Sequence, residues 1–223
     1  MTTDRHGRHF QDDLDQVKAR LLEMGRAAEA QLTRAVRGLV EGRGEQLETV
    51  LTGDQEINRF HIEIDDRCFK LLALHQPMAV DLRAIMSAVK INTDLERVGD
   101  LAVNIAEAAI RYLSHPPVKE LVDIPRMSGI AQDMLRNALD AYVSSNVGDA
   151  KKVLECDDEL DRLKTQVFRD LLEHMRLDPS TVEPSLDLIL ISRHLERVGD
   201  HATNVAEDVI FLVSARDVRH QFE

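Results

Sequence analysis

From Phe10 to Val40 apolar side chains return at steps of three and four: Leu14, Val17, Leu21, Met24, Ala28, Leu32, Ala35 and Leu39. That spacing draws one apolar stripe along a single long helix. Gly42 and Gly44 interrupt it. A second stripe passes through Leu47, Val50, Leu51, Ile57, Ile64, Phe69 and Leu72 and ends at His75-Gln76-Pro77, where proline cannot supply the next helical amide. A third helix is predicted from Val80 to Ser114, stopped by Pro116-Pro117. Further helices follow near Ile124 to Asn146, Gly148 to Met175 and Pro184 to Ala215, and no run alternates as a strand would. The fold class is therefore all-α. Short links between long amphipathic helices favour antiparallel neighbours, which gives two tandem up-down-up three-helix bundles.

The two bundles are copies. Leu95-Glu96-Arg97-Val98-Gly99-Asp100 recurs as Leu195-Glu196-Arg197-Val198-Gly199-Asp200, and Ala102, Asn104, Ala106 and Glu107 are answered one hundred residues later. Upstream the spacing becomes 103: Met24 matches Met127, Val50 matches Val153, and Asp54 matches Asp157. A length difference of this kind belongs in a loop, near Gln76-Pro77 and Asp178-Pro179. The expected organisation is a disordered segment 1–9, a first repeat 10–115, a connection 116–123, a second repeat 124–215 and a tail 216–223.

What repeats is largely polar, and that asks for a chemical reason. Residues four apart share a helix face, so Glu96, Asp100 and Asn104 form one stripe and Glu196, Asp200 and Asn204 another. On the second helices, Asp54-Gln55-Glu56-Ile57-Asn58 stands where Asp157-Asp158-Glu159-Leu160-Asp161 stands in the other half. Antiparallel packing can bring these motifs beside the stripes, so that carboxylates from two helices converge, as in helix-bundle metal sites. Oxygen-only donors suit hard cations such as Mg, Mn, Ca or Fe, and zinc also accepts carboxylates. The competing reading is a solvated face of Glu, Asp and Arg in local ion pairs. Duplication favours the metal, and so does a glycine in mid-helix in each copy, at a cost of about 1 kcal/mol relative to alanine. His194 and His201 flank only the second motif, and read as surface or capping histidines in preference to ligands.

Composition narrows the functions. With 28 basic against 40 acidic residues the net charge is -12, which disfavours nucleic acid and anionic bilayers. The polar stretch Met1 to Phe10 has no signal-peptide character, and no apolar run is long enough to span a membrane, so a cytoplasmic protein is expected. Cys68 and Cys156 lack CxxC spacing and read as reduced thiols. No Glu is followed three residues later by His, as a carboxylate-bridged oxidase or metal-storage bundle would require, and no phosphate-binding or nucleophile-elbow motif is present. A non-enzymatic protein is expected, and a dimeric helical adaptor without metal is its remaining alternative.

The doubled Leu-Glu-Arg-Val-Gly-Asp phrase, the preceding Gln76-Pro77-Met78-Ala79-Val80-Asp81-Leu82-Arg83 and the tandem three-helix plan resemble the PhoU family, from about Phe10 to Val213. The resemblance implies a cytoplasmic homodimer that touches the membrane only through its partners, the phosphate ABC transporter and its sensor histidine kinase. Its implied role is negative regulation of the phosphate-starvation response and phosphate uptake. Clusters of divalent or ferric metal ions (Fe, Mn, Mg or Zn) are implied on Glu96, Asp100, Glu196 and Asp200, joined by Asp54, Asp157 and Asp161. Asn58 departs from the motif, which expects a carboxylate there, so the first cluster is expected to be the weaker. Asn104 and Asn204 stand as weak or supporting ligands. Asp81 and Arg83 match a feature for which either partner contact or an ordinary helix start is expected.

Overall fold

The computed structural model describes residues 3–218. Within them the chain forms six α-helices: α1 (Thr3–Val40), α2 (Gly44–His75), α3 (Val80–Leu113), α4 (Asp123–Ser144), α5 (Val147–Leu177) and α6 (Val182–Ser214), with a single 3-10 turn at Pro179–Thr181. Helices α1, α2 and α3 pack on one another, as do α4, α5 and α6. The α1 stripe from Leu14 to Leu39 is buried throughout, as its spacing predicts. On α2 the interior positions shift near the end. Cys68 and Leu71 are buried, whereas Phe69 is 65% exposed, because steps of four and three from Ile64 reach 68 and 71.

Most helix limits fall within two residues of expectation, and two of the helix starts that differ have a clear local cause. Helix α1 begins at Thr3, so residues 3–9, expected to be disordered, continue it; nothing between Thr3 and Phe10 denies it an amide or forces a turn. Residues 1–2 of that segment, and 219–223 of the expected tail, lie outside the described residues. Helix α6 begins two residues before Pro184, since a proline in the first turn removes only an amide that has no helical partner. At α5, the Asn146 side-chain oxygen accepts from the backbone amides of Gly148 (2.9 Å) and Asp149 (3.3 Å) and caps the helix.

The bundles meet along α3 and α6, the most extensive helix pair in the fold, with a smaller contact between α1 and α4. This seam carries charge. Lys90 Nζ on α3 donates to Asp208 Oδ1 on α6 at 2.8 Å, and Arg111 Nε on α3 donates to Asp187 Oδ1 on α6 at 2.9 Å. Both aspartates are buried, so pairing each with a cation avoids the penalty of a lone buried charge. Each bundle thus presents its third helix to the other, while α2 and α5 remain outside the seam.

Candidate metal centres

The acidic stripes lie where α2 meets α3 and where α5 meets α6. The mid-helix glycines set how closely the helices approach. A Cβ at Gly99 would sit 2.9 Å from Ile57 Cδ1 and 3.3 Å from Asp54 Oδ1; one at Gly199 would sit 2.5 Å from Leu160 Cδ2 and 3.6 Å from Asp157 Oδ1. Leaving out a side chain at these two points lets the second helix of each half lay its aspartate beside the third. Close approach is the packing reason that an otherwise unfavourable residue requires.

In the first half, Asp54 Oδ1 is buried without a hydrogen-bond partner, and Oδ2 accepts from Asn58 Nδ2 at 2.5 Å. Burial raises Asp54 above the ordinary carboxylate value, the Asn58 hydrogen bond opposes the rise, and the charge of Asp100 adds to it. Asn58 therefore serves as a donor to Asp54. Glu96 and Asp100 are both partly buried, with the Arg97 guanidinium at 3.7 Å and 3.9 Å respectively.

The second half crowds more charge together. Asp200 is pushed up to about 6, first by loss of hydration and then by the Glu196, Asp157 and Asp161 carboxylates, with His201 opposing. Asp157 is also raised, by burial and then by Asp161, Glu196 and Asp158. Amid these acids lies Lys164, whose Nζ donates to Asp161 Oδ1 at 2.6 Å and to Glu196 Oε1 at 2.7 Å. A groove of about 650 Å³ opens beside them, lined in part by Lys164, Phe168, Arg193, Glu196 and Asp200.

Among the described residues no three His, Cys, Asp or Glu side chains close on one point as a metal would require. The donor set nevertheless fits a hard cation in type and charge. Asp54 Oδ1 is a buried oxygen without a partner that feels the charge of Asp100, and Asp200 is raised by lost hydration and then by neighbouring carboxylates, both of which a cation would offset. All seven predicted ligands, Asp54, Glu96 and Asp100 with Asp157, Asp161, Glu196 and Asp200, lie on these two helix pairs.

The asparagine and histidine expectations need correction. Asn204 does not support the acidic stripe: its Nδ2 donates to Asp94 Oδ1 on α3 at 3.1 Å, and His201 Nδ1 lies 2.8 Å from the same oxygen. At 3.6 residues per turn, each step of four rotates about 40° around the helix. Two steps from Glu196 therefore carry Asn204 off the carboxylate face and onto the seam. His201 is an inter-bundle partner, neither a free surface group nor a cap. His194 is partly buried with Nδ1 unpartnered, and its basicity is lowered by burial and then by Arg197, Arg193 and Arg111. Asn104 lies partly buried one turn beyond Asp100.

Asp81 is exposed in the first turn of α3, and Arg83 is partly buried with a buried Nε that has no partner. The turn before them is strained. Gln76 is left-handed at φ 47°, and Ala79 takes φ 48° and ψ -101°, a region that residues with a Cβ rarely adopt. Leu74, Met78 and Val80 project around it, each more than half exposed.

Sequence reasoning missed Lys164 and Asp94. Lys164 follows Asp161 by three and looks like any solvated pair on a helix. Asp94 had a faint signal, since 94/194 and 101/201 are among the positions at which the two copies diverge in polar or charged character.

The chain matches the family model "PhoU domain" twice, over residues 21–109 and 124–209. It is 35% identical over 220 residues to the phosphate-specific transport system accessory protein PhoU homolog of Caulobacter vibrioides, covering 98% of this chain and 96% of that one. With the homolog of the same name from Aquifex aeolicus it shares 38% identity over 209 residues, 94% and 95% of the respective chains. The crystal structure of PhoU from Pseudomonas aeruginosa superposes with a TM-score of 0.89 at 36% identity, covering 93% of this chain and all of that one.

Proposed function

This chain belongs to the PhoU family, and on that premise we propose that it is a non-catalytic accessory and regulatory protein of a phosphate-specific transport system. It represses the phosphate-starvation response and phosphate uptake by linking the phosphate ABC transporter to its sensor histidine kinase. It works at the cytoplasmic face of the membrane as a homodimer and reaches the bilayer through those partners. The observation that carries this reading is likeness to curated accessory proteins over nearly the full length of both chains. Among the described residues no helix is long and apolar enough to cross a membrane, which agrees with a peripheral role. In this reading Asp81 and Arg83, with the exposed Leu74, Met78 and Val80 by the strained turn, form the contact surface for a partner.

In this reading Asp54, Glu96 and Asp100 hold metal in the first half, and Asp157, Asp161, Glu196 and Asp200 in the second. A bound hard cation would neutralise the carboxylates and clamp the second helix of each half to the third. Oxygen donors leave Fe, Mn, Mg and Zn as the candidates. Lys164 favours a second reading, in which the helical adaptor works without metal and the lysine balances the acids.

Deleting the gene tests the regulatory role: phosphate-starvation genes should stay on in phosphate-rich medium, and unchanged expression would overturn it. For the metal, protein purified without chelator should lose its bound ions when Glu96, Asp100, Glu196 and Asp200 are all replaced by alanine. Metal persisting in that variant would remove the assignment.

A further inference from the structure

The two acidic sets differ in one respect that the duplication hides. Lys164 places a single ammonium between α5 and α6, bonded to Asp161 and to Glu196. The corresponding position in the first half, 103 residues earlier, is His61, whose Nε2 lies 3.4 Å from Asp65 on its own helix. Nothing there reaches Asp54 Oδ1, which is buried and unpartnered. Arg97 approaches the first set no closer than 3.7 Å, with a side chain that is 57% exposed. The second set therefore holds an ammonium hydrogen-bonded across its two helices, whereas the first has only the outlying Arg97, which pairs at longer range with acids of its own helix.

We infer that Lys164 is an intramolecular counter-ion that occupies the second carboxylate set in place of a divalent cation, so that the first half loads with metal before the second. This rests on the metal reading proposed above. It also reverses the order expected from Asn58, which removes one carboxylate from the first set. A missing ligand weakens a site, but a resident ammonium must be displaced and its two ion pairs broken before the carboxylates can turn to another cation. Lys164 has room to leave, because an outer groove on α5, lined by Asp158, Asp161, Arg162 and Asp170, adjoins it. Until it does, the helices α5 and α6 are bridged by the lysine, and the second half has its charge partly balanced without metal.

The test is titration of the metal-free full-length chain with Mn²⁺, reading free Mn²⁺ by electron paramagnetic resonance and helix melting by circular dichroism. Wild-type protein should show two classes of site, and Asp54→Asn should weaken the tighter one. Lys164→Gln should tighten the weaker class at least about tenfold, roughly one displaced ion pair, while Lys164→Arg keeps the charge and behaves as wild type. In chelator, Lys164→Gln should melt earlier than wild type, and Mn²⁺ should restore more of its stability. If wild type and Lys164→Gln bind Mn²⁺ alike, the lysine is no competitor, although the metal reading stands. If neither binds Mn²⁺, the metal reading fails and the loading order with it. An unchanged melting temperature for Lys164→Gln in chelator would show that the ammonium balances nothing.

Discussion

Replacing Asp200 by asparagine should stabilise the metal-free protein, and only above a definite pH. In the unfolded chain this carboxyl ionises near its ordinary value of 3.8, whereas in the folded protein it holds its proton to about 6. Between those values the folded state binds more protons, so stability falls as pH rises through them, and the penalty is full above about 6 and absent below about 4. The gap from 3.8 to about 6 corresponds to at most ~3 kcal/mol. Asp200 is exposed at one edge, where water screens its neighbours, so about 1 kcal/mol is the realistic share. Asp200→Asn keeps the shape and removes the charge. Urea denaturation in chelator should find the variant about 1 kcal/mol more stable at pH 7.5 and equal to wild type near pH 4, a shift of roughly 2–4 °C in melting temperature at the higher pH. A variant that is less stable at pH 7.5, or a gap that does not change with pH, would refute the idea that Asp200 stands among repelling carboxylates. Excess Mn²⁺ should reverse the order, since wild type alone keeps the full ligand set.

At the seam, Asp94→Ala and His201→Ala should each cost about 1–2 kcal/mol, and the double variant should cost less than their sum by at least ~0.5 kcal/mol, measured by a double-mutant cycle in denaturant. Additive losses would mean that the two do not act as a pair. Gly199→Ala gains about 1 kcal/mol of helix propensity but drives a methyl against buried Leu160, so a net loss of about 1–2 kcal/mol is expected by thermal melting, with a smaller loss for Gly99→Ala, where the nearest atom is 0.4 Å farther away (2.9 against 2.5 Å). A stabilised Gly199→Ala would show that the helices do not need the close approach.

The helices and the duplication were readable because each rests on local information. Apolar steps of three and four, a proline after His75 and a pair of glycines after Val40 act within a turn or two. The limits that went astray, Thr3 and Val182, are those where nothing local forbids one more helical turn. The acidic stripes were equally visible, since side chains four apart on one helix must lie near each other. What no periodicity could convey was which face of α3 meets α6. Helix α3 is covered by α1 and α2 on some sides and by α6 on another, so beyond its first two turns most apolar positions are buried and the pattern loses its contrast. A four-residue spacing accordingly groups Asn204 with the carboxylates although its partner is Asp94, and it offers His201 none. Lys164 went unnoticed for the opposite reason: its spacing from Asp161 is common on wet helices, and only the approach of Glu196 from α6 makes it unusual.

Because the halves are copies, each third helix could in principle recognise its own kind in a second molecule. The charges along the seam oppose that. Positions 87 and 108 of α3, which correspond to Asp187 and Asp208 of α6, are Ser87 and Ala108. Were two α3 helices to pair in the same geometry, Lys90 would meet Ala108 and Arg111 would meet Ser87, with neither cation neutralised. Two α6 helices would set Asp208 against Leu190 and Asp187 against Phe211. Only the unlike pair satisfies all four charges, so divergence after duplication has made the halves complementary and has turned a self-adhesive surface into a lock that accepts one partner.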